Sequence, residues 1–245
     1  MTEDPRILII IPAHNEADSL ARVISEVRAA VNADIAVVDD GSTDETAKIA
    51  LSEKVELLRI PFNLGIGSTM QAGFKFALRE GYDVAVQVDG DGQHDPAELP
   101  LILQPVLNGD CDMALGSRYL ARGNYSGSMG RRAGTAIFSK LLSLMTRERL
   151  TDATSGFRAI DRDLIVLFAN EYPRDYPEVE VLLIIHLARF SIREVPVAMR
   201  SRSGGRSSIN SFRSVYYMVK VLLALMVTAS RRHAPKLDGI TNEKS

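Results

Sequence analysis

Oxygen-bearing side chains alternate with glycines in the segment Asp89-Gly90-Asp91-Gly92-Gln93, which follows a short apolar run. Alternate residues of an extended backbone point to the same side, so Asp89, Asp91 and Gln93 are expected to present their oxygens to one point. Carboxylate and amide oxygens suit Mg²⁺ or Mn²⁺, which keep open positions for phosphate oxygens. Gly90 and Gly92 would let a bulky ligand approach closely. The segment therefore predicts a divalent metal site that holds a phosphorylated ligand.

Three more polar clusters follow apolar runs earlier in the chain, at residues 12–16, 39–42 and 63–67. Short apolar runs alternate here with apolar residues at helical spacing, which is typical of α/β proteins. Ligands of such proteins bind at the carboxyl ends of parallel strands. The four clusters therefore predict one site at one edge of a mainly parallel, Rossmann-like sheet flanked by helices.

The elements that must position these clusters can be placed from the same patterns. We expect strands at residues 7–11, 35–38, 55–58, 84–88 and 113–115, and helices between them. Ser42 is expected to cap the second helix, because its hydroxyl can accept from a free backbone N–H. In the second half we expect helices at 131–146, 176–190 and 212–231, and strands at 157–160 and 192–199.

Composition and charge limit the compartment and the kinds of binding partner that are expected. The single cysteine among 245 residues, Cys111, excludes an internal disulfide framework and favours a reducing cytoplasm. Residues 1–6 lack the basic and apolar features of a signal peptide. Residues 113–147 carry six basic side chains and no acid, and residues 195–237 carry eight and no acid, so the rest of this −2 chain has a net charge of −16. Such segregation predicts phosphate groups or an anionic membrane surface as partners.

The apolar segment 215–229 lies between basic residues and is shorter than the roughly 20 residues that span a bilayer. It predicts a helix in a membrane interface, or alternatively a buried core or oligomer helix. A nucleic-acid partner is not expected, because few aromatic residues stand among the arginines and the rest of the chain is acidic.

The order of the motifs at 12–16, 37–44, 63–65 and 89–91 resembles the family 2 glycosyltransferases of the GT-A fold. Further motifs at 116–119, 154–158 and 202–207 resemble the branch that contains dolichol-phosphate mannosyltransferases and polyprenyl-phosphate glycosyltransferases. The last motif of that branch normally ends in Ser-Lys, whereas this chain has Ser207-Ser208. The resemblance implies a GT-A domain at 1–210, followed by an amphipathic helix at 211–232 and a flexible tail at 233–245.

The resemblance also assigns roles to residues. The nucleotide-sugar site would contain Pro12, Ala13, Asn15, Glu16, Asp39, Asp40, Asn63, Gly65, Asp89, Gly90, Asp91, Arg202 and Ser207. The metal would be held by Asp89, Asp91 and Gln93. An acceptor phosphate would be bound by Arg118, Arg131 and Arg132. The predicted catalytic set is Asp91, Arg131 and Asp152, of which Asp152 is proposed from its position just before the motif at 154–158.

Two acceptor classes and one non-catalytic function follow from these residues. A polyprenyl phosphate is ionised at neutral pH and can attack the sugar directly, with inversion and without a general base. A saccharide hydroxyl, as in cell-wall or capsule assembly, would need a carboxylate base, for which Asp152, Glu178 and Glu180 are candidates. The third alternative is a nucleotide-sugar binding protein without turnover. The basic stretches favour the polyprenyl phosphate and a peripheral position on the cytoplasmic membrane face. The sugar and the nucleotide base of the donor stay open, and so does homo-oligomerisation.

Overall fold

The computed structural model describes residues 4–120, 129–175 and 177–200, together with 220, 221, 223 and 225–228; for 129–133 it describes the backbone alone. The strands within these ranges are β1 (Ile7–Ala13), β2 (Asp34–Asp40), β3 (Glu56–Ile60), β4 (Val84–Gln87), β5 (Met113–Ser117), β6 (Arg158–Asp161) and β7 (Ile192–Pro196). The helices are α1 (Leu20–Ala30), α2 (Thr46–Ser52), α3 (Ile66–Glu80), α4 (Leu99–Leu107), α5 (Met129–Thr146), α6 (Arg162–Asn170) and α7 (Pro177–Leu187), and a 3₁₀ turn at Pro96–Glu98 precedes α4.

The strands form one sheet in the order β3-β2-β1-β4-β6-β5-β7. The strands β3, β2, β1 and β4 are parallel neighbours, and β7 is parallel to β5. The strand β6 runs antiparallel to both β4 and β5. The predicted mainly parallel sheet is therefore confirmed, and the reversal at β6 brings its amino end to the edge where the other strands have their carboxyl ends.

Both faces of the sheet are buried, which explains the unbroken apolar run in β1. Leu8 and Ile10 belong to the core cluster on the side of α3, α5, α6 and α7, while Ile9 and Ile11 belong to the cluster on the side of α1 and α4. Gly73 lets α3 approach the sheet closely, because a Cβ at this position would lie 2.5 Å from Cγ2 of Ile10. This close packing fixes α3, whose first turn reaches the candidate site.

Two local predictions differ from the structure. The sequence reading missed α6, which follows β6 directly and is capped by Asp161, whose carboxylate accepts from the N–H of Leu164 (3.0 Å). Ser42 does not cap α2, because this helix begins four residues later, at Thr46. Its hydroxyl instead accepts from the backbone N–H of Asn15 (3.0 Å) and joins the loops that follow β1 and β2.

The described positions of the predicted last helix are helical. Val221 and Leu225 are buried in the core cluster that contains α5 and α7, whereas Leu223, Met226 and Val227 are exposed. No helix among the described residues is long and apolar enough to cross a membrane. Residues 201–219 and the tail at 233–245 lie outside the described part of the chain.

Candidate active site

A cavity of about 360 Å³ lies at the carboxyl edge of the sheet. Residues at or just after the ends of the first four strands line it: Pro12 and Ala13 at the end of β1 with His14 and Glu16 after it, Asp40 in the last position of β2, Asn63 and Gly65 after β3, and Asp89, Gly90 and Asp91 after β4. The four polar clusters predicted from the sequence therefore meet at one place. Nine of the thirteen residues predicted to bind a nucleotide sugar line this cavity.

Seven further lining residues were not assigned to the donor site from the sequence: His14, Ile66, Thr69, Gln87, Thr154, Gly156 and Glu178. Thr154 and Gly156 come from the segment before β6, which reaches the cavity because β6 is antiparallel to its neighbours. Gln87 is the last residue of β4. Gln87 could have been predicted as a site residue, because it is a polar residue at the end of an apolar strand.

The carboxylate of Asp89 is oriented through both of its oxygens. Nε2 of Gln87 donates to Oδ1 (3.0 Å), and Nε2 of His94 lies 3.4 Å from Oδ2. The backbone N–H of Asp89 donates to Nδ1 of His94 (3.0 Å), which places the imidazole proton on Nε2. His94 itself is buried and stacked on Phe157, with ring centroids 4.8 Å apart. Asp89 is thus held in one orientation while 35% of its side chain stays exposed.

Residues 89–93 form a turn and not the extended segment that the alternating pattern predicted. Oδ1 of Asp91 accepts from the backbone N–H of Gln93 (2.9 Å), and Gly92 has a φ of +74°. Asp91 lines the cavity, but Gln93 does not; its carbonyl accepts from the N–H of Arg200 (2.9 Å). Asp89 and Asp91 thus lie together at the cavity wall, whereas the metal role of Gln93 stays a prediction.

The two glycines of this turn serve the protein's own packing. A Cβ at Gly90 would lie 3.1 Å from the carbonyl oxygen of Pro12, and a Cβ at Gly92 would lie 2.5 Å from Nη2 of Arg22. Gly92 also has the left-handed backbone conformation that favours glycine. The two glycines thus allow close contacts with β1 and α1, and Gly90 also lines the cavity.

The oxygen ligands at this site fit a hard divalent cation that a bound substrate would also coordinate. Asp89 and Asp91 both offer carboxylate oxygens to the cavity. The described ranges contain no group of three or more His, Cys, Asp and Glu side chains that could hold a metal without further ligands. Oxygens of a bound diphosphate would complete the coordination of Mg²⁺ or Mn²⁺, as these ions accept in phosphate-handling sites.

Asp40 is both a lining residue and a brace for the third cluster. Its two carboxylate oxygens accept from the backbone N–H groups of Leu64 (2.8 Å) and Gly65 (2.9 Å). These bonds hold the loop before α3 against the end of β2. Asn63 and Gly65 are thereby kept at the cavity wall.

Asp39 and Asn15 do not line the cavity. The Asp39 carboxylate is fully buried, accepts from the N–H of Ser42 (3.0 Å) and lies 3.3 Å from Nε of Arg59. Oδ1 of Asn15 accepts from the N–H of Thr43 (2.8 Å). Both residues therefore support the loops around the cavity, and their predicted contact with the nucleotide sugar stays a prediction.

Arg118 and Asp152 form a buried ion pair. Nε and Nη2 of Arg118 each lie 2.6 Å from a different carboxylate oxygen of Asp152. The Asp152 side chain is completely buried, the Arg118 side chain is 9% exposed, and neither residue lines the cavity. This geometry does not support Asp152 as a general base or Arg118 as a phosphate ligand. The pair instead fixes Thr154, whose hydroxyl accepts from Nη2 of Arg118 (2.7 Å).

Glu178 is the base candidate that the structure places in the cavity. Part of its side chain faces the cavity, yet desolvation raises the pKa of its carboxyl above the ordinary value. The negative charge of Asp89 also raises this pKa. The backbone N–H of Glu178 and the positive charge of Arg158 act in the opposite direction. Glu180 lies elsewhere, since its Oε1 accepts from the hydroxyl of Thr228 (2.6 Å).

Several predicted site residues lie outside the described part. Arg131 and Arg132 belong to the first turns of α5, where the backbone alone is described. Arg202 and Ser207 fall in the segment 201–219. The roles of these four residues stay predictions.

Comparison with known proteins matches this site to one family. The family model described as glycosyl transferase family 2 matches residues 8–168. A polyprenol monophosphomannose synthase of Mycolicibacterium smegmatis is 33% identical over 230 residues, which cover 88% of this chain and 85% of the relative. An undecaprenyl-phosphate mannosyltransferase of Micrococcus luteus is 33% identical over 219 residues, covering 84% of this chain and 88% of the relative.

A solved structure shares the fold. The glucosyl-3-phosphoglycerate synthase of Mycobacterium tuberculosis, in complex with Mn²⁺, uridine diphosphate and glucosyl-3-phosphoglycerate, superposes with a TM-score of 0.71 at 21% identity. The match covers 91% of this chain and 80% of that protein. The GT-A fold expected from the motifs is thereby confirmed.

Proposed function

The chain belongs to glycosyl transferase family 2, and on this premise we propose that it transfers a sugar from a nucleotide-diphosphate sugar to a polyprenyl phosphate with inversion at the sugar carbon. The observation that carries the proposal is the pair Asp89 and Asp91 in a cavity built by four strand ends. The family supports the glycosyl transfer. The similarity to the polyprenol monophosphomannose synthase and the undecaprenyl-phosphate mannosyltransferase supports the lipid phosphate acceptor.

The donor would lie across the cavity, with its diphosphate at Asp89 and Asp91 and its nucleoside towards the wall that Asp40 and Asn63 form. Asp89 and Asp91 would hold Mg²⁺ or Mn²⁺, which would supply positive charge to stabilise the leaving diphosphate. The protein contributes the fixed direction of the Asp89 carboxylate, which Gln87 and His94 hold. Because these partners are buried, little reorganisation is needed when the diphosphate binds.

In the proposed reaction a phosphate oxygen of the acceptor attacks the anomeric carbon from the face opposite the leaving group. A carbon–oxygen bond forms as the bond between this carbon and the β-phosphate oxygen breaks, and the nucleoside diphosphate leaves. The second pKa of a phosphate monoester is about 6, so the nucleophile is ionised at neutral pH and no proton needs to be removed. Arg131 and Arg132, in the first turns of α5, are the proposed acceptor phosphate ligands.

The surface of the protein supports an acceptor that resides in a membrane. Apolar side chains are exposed on α5 and on the last helix, namely Ile137, Leu144, Leu223, Met226 and Val227. Both elements belong to the two stretches that carry basic residues without acids. Apolar side chains beside cationic ones suit the surface of an anionic leaflet. We therefore place the protein peripherally on the cytoplasmic membrane face.

The test is a transfer assay with undecaprenyl or dolichyl phosphate and radiolabelled GDP-mannose, UDP-glucose or UDP-N-acetylglucosamine. We expect lipid-extractable label from at least one donor, loss of activity with EDTA, and recovery with Mn²⁺ or Mg²⁺. Asp91→Asn should lose activity, whereas Asp18→Asn, an exposed acid outside the cavity, should retain it. Absence of lipid-linked label with every donor would contradict the lipid acceptor, and absence of donor hydrolysis as well would favour a binding protein.

A saccharide hydroxyl is the second candidate acceptor, because Glu178 offers a carboxylate in the cavity. On this alternative Glu178→Gln abolishes transfer to a soluble saccharide while the donor still binds, since the amide cannot take the hydroxyl proton. On the lipid phosphate proposal Arg131→Ala causes the larger loss of transfer. Comparing the two variants with both acceptor classes separates the alternatives.

A further inference from the structure

Glu178 is held rigidly in the wall of the donor cavity. It occupies the first turn of α7, directly after Pro177. Arg158, buried in β6, anchors this turn, because its Nη2 donates to the carbonyl of Glu178 (2.5 Å) and its Nε donates to the carbonyl of Ser155 (2.9 Å). The side chain therefore starts from a fixed backbone, which is what a recognition residue requires.

The protein supplies few partners for this carboxylate. Among the described residues no other side chain forms a hydrogen bond or ion pair with the Glu178 carboxylate, and its hydrogen bond is to its own backbone N–H. The described ranges hold no cluster of three His, Cys, Asp and Glu side chains that could hold a metal, which argues against Glu178 as a third ligand beside Asp89 and Asp91. A partly buried carboxylate without a protein partner is costly unless a ligand donates hydrogen bonds to it.

We propose that Glu178 accepts hydrogen bonds from hydroxyl groups of the donor hexose and thereby selects the sugar. This inference rests on the proposed function, because it assumes a nucleotide sugar in this cavity. The other groups of the reacting assembly, the donor diphosphate and the acceptor phosphate, are anionic and would be repelled by the carboxylate. Sugar hydroxyls are neutral donors, and two of them can bind one carboxylate.

Gly156 and Thr154 line the cavity together with Glu178. A Cβ at Gly156 would lie 2.8 Å from Nε2 of Gln87 and 3.5 Å from both carboxylate oxygens of Asp89. The missing side chain therefore lets the segment before β6 pack directly against the proposed diphosphate site. The anomeric end of a hexose would lie at Asp89, and its remaining hydroxyls would reach towards α7.

Isothermal titration calorimetry without any acceptor tests the inference. The probes are GDP-mannose, UDP-glucose and UDP-N-acetylglucosamine, each compared with GDP or UDP alone in the presence of Mn²⁺. We expect Glu178→Gln to bind the nucleotide sugar roughly 10- to 100-fold more weakly than wild type, as for loss of a charged hydrogen bond, and to bind the diphosphate alone with wild-type affinity. Glu180→Gln is the matched control on the same helix, and its affinity for both ligands should be unchanged.

Deoxy analogues of the preferred sugar locate the contact. A site built for a hydroxyl discriminates against the analogue that lacks it. We therefore expect one deoxy analogue to bind wild type more weakly than the intact sugar does, and to bind Glu178→Gln about as well as the intact sugar does. Equal losses for nucleotide sugar and diphosphate, or unchanged affinity for both, would overturn the inference while leaving the proposed function intact. Wild type that binds none of the nucleotide sugars would instead overturn the proposed function and the inference with it.

Discussion

Replacing Gly156 with alanine should disable the site through a single methyl group. The added Cβ would lie 2.8 Å from Nε2 of Gln87, whereas ordinary contacts begin at 3.4 Å, so the amide must retreat by about 0.6 Å. The same amide donates to Oδ1 of Asp89 at 3.0 Å. A retreat of this size along the line of the bond would take it to about 3.6 Å, which is beyond hydrogen-bonding range. Gly156 does not have a left-handed backbone, so the alanine adds no backbone strain.

The size of the effect follows from the bond that is lost. A hydrogen bond to a charged group contributes roughly 1.5–3 kcal/mol, which corresponds to about a 10- to 100-fold change in an equilibrium or rate constant. Since Asp89 is proposed to hold the metal and the diphosphate, the loss should appear in the Mn²⁺-dependent affinity for the nucleotide sugar and in kcat/KM. Thermal stability should change little by comparison.

The assay is steady-state transfer together with calorimetric donor binding for wild type, Gly156→Ala and Gly134→Ala. Gly134 lies in α5 with nothing within 4 Å of the added Cβ, so its alanine variant should keep wild-type kinetics and gain up to about 1 kcal/mol of helix stability. Wild-type donor affinity and kcat/KM in Gly156→Ala would refute the claim that Gln87 orients a functional Asp89.

Three further predictions concern buried ionisable groups. Asp152→Asn leaves the buried Arg118 without its carboxylate, so we expect the free energy of unfolding, measured by chemical denaturation, to fall by roughly 3–5 kcal/mol. Unchanged stability with lost turnover would instead favour Asp152 as a general base. Desolvation raises the folded-state pKa of Glu178, so ionisation of this residue disfavours the folded state above that pKa. Glu178→Gln removes this ionisation and should therefore raise Tm at pH 8. The gain in Tm should fade towards pH 4.5, where the carboxyl becomes protonated. A uniform gain at all pH values would contradict this. Burial raises the pKa of the Cys111 thiol to about 11, so native protein should react with a disulfide reagent at pH 8 far more slowly than unfolded protein, and equal rates would contradict it.

The strand-end clusters could be predicted because each depends on local sequence. An apolar run followed by polar residues marks the end of a strand, and parallel strands bring such ends together. Asp40, Asn63 and Asp89 were found in this way, and all three line the cavity. The family motifs added the GT-A fold, which the match to a solved structure confirms.

The remaining features depend on contacts between distant parts of the chain. The pairing of Arg118 with Asp152 spans 34 residues, and no periodicity marks it, so Arg118 was predicted to bind the acceptor phosphate and Asp152 to be a catalytic residue. The position of Glu178 in the cavity depends on the antiparallel direction of β6 and on its anchor Arg158. The turn at Asp91 was missed because alternating Asp and Gly residues are equally compatible with an extended strand end and with a turn.

Mass spectrometry of the lipid product tests the central claim most directly. Purified protein, a polyprenyl phosphate, the preferred nucleotide sugar and Mn²⁺ should yield a lipid that carries one phosphate and one added sugar, with release of one nucleoside diphosphate for each sugar transferred. Asp91→Asn should yield neither product. A lipid with two phosphates, release of the nucleoside monophosphate, or full activity in Asp91→Asn would contradict direct attack of the lipid phosphate on a sugar held at Asp89 and Asp91.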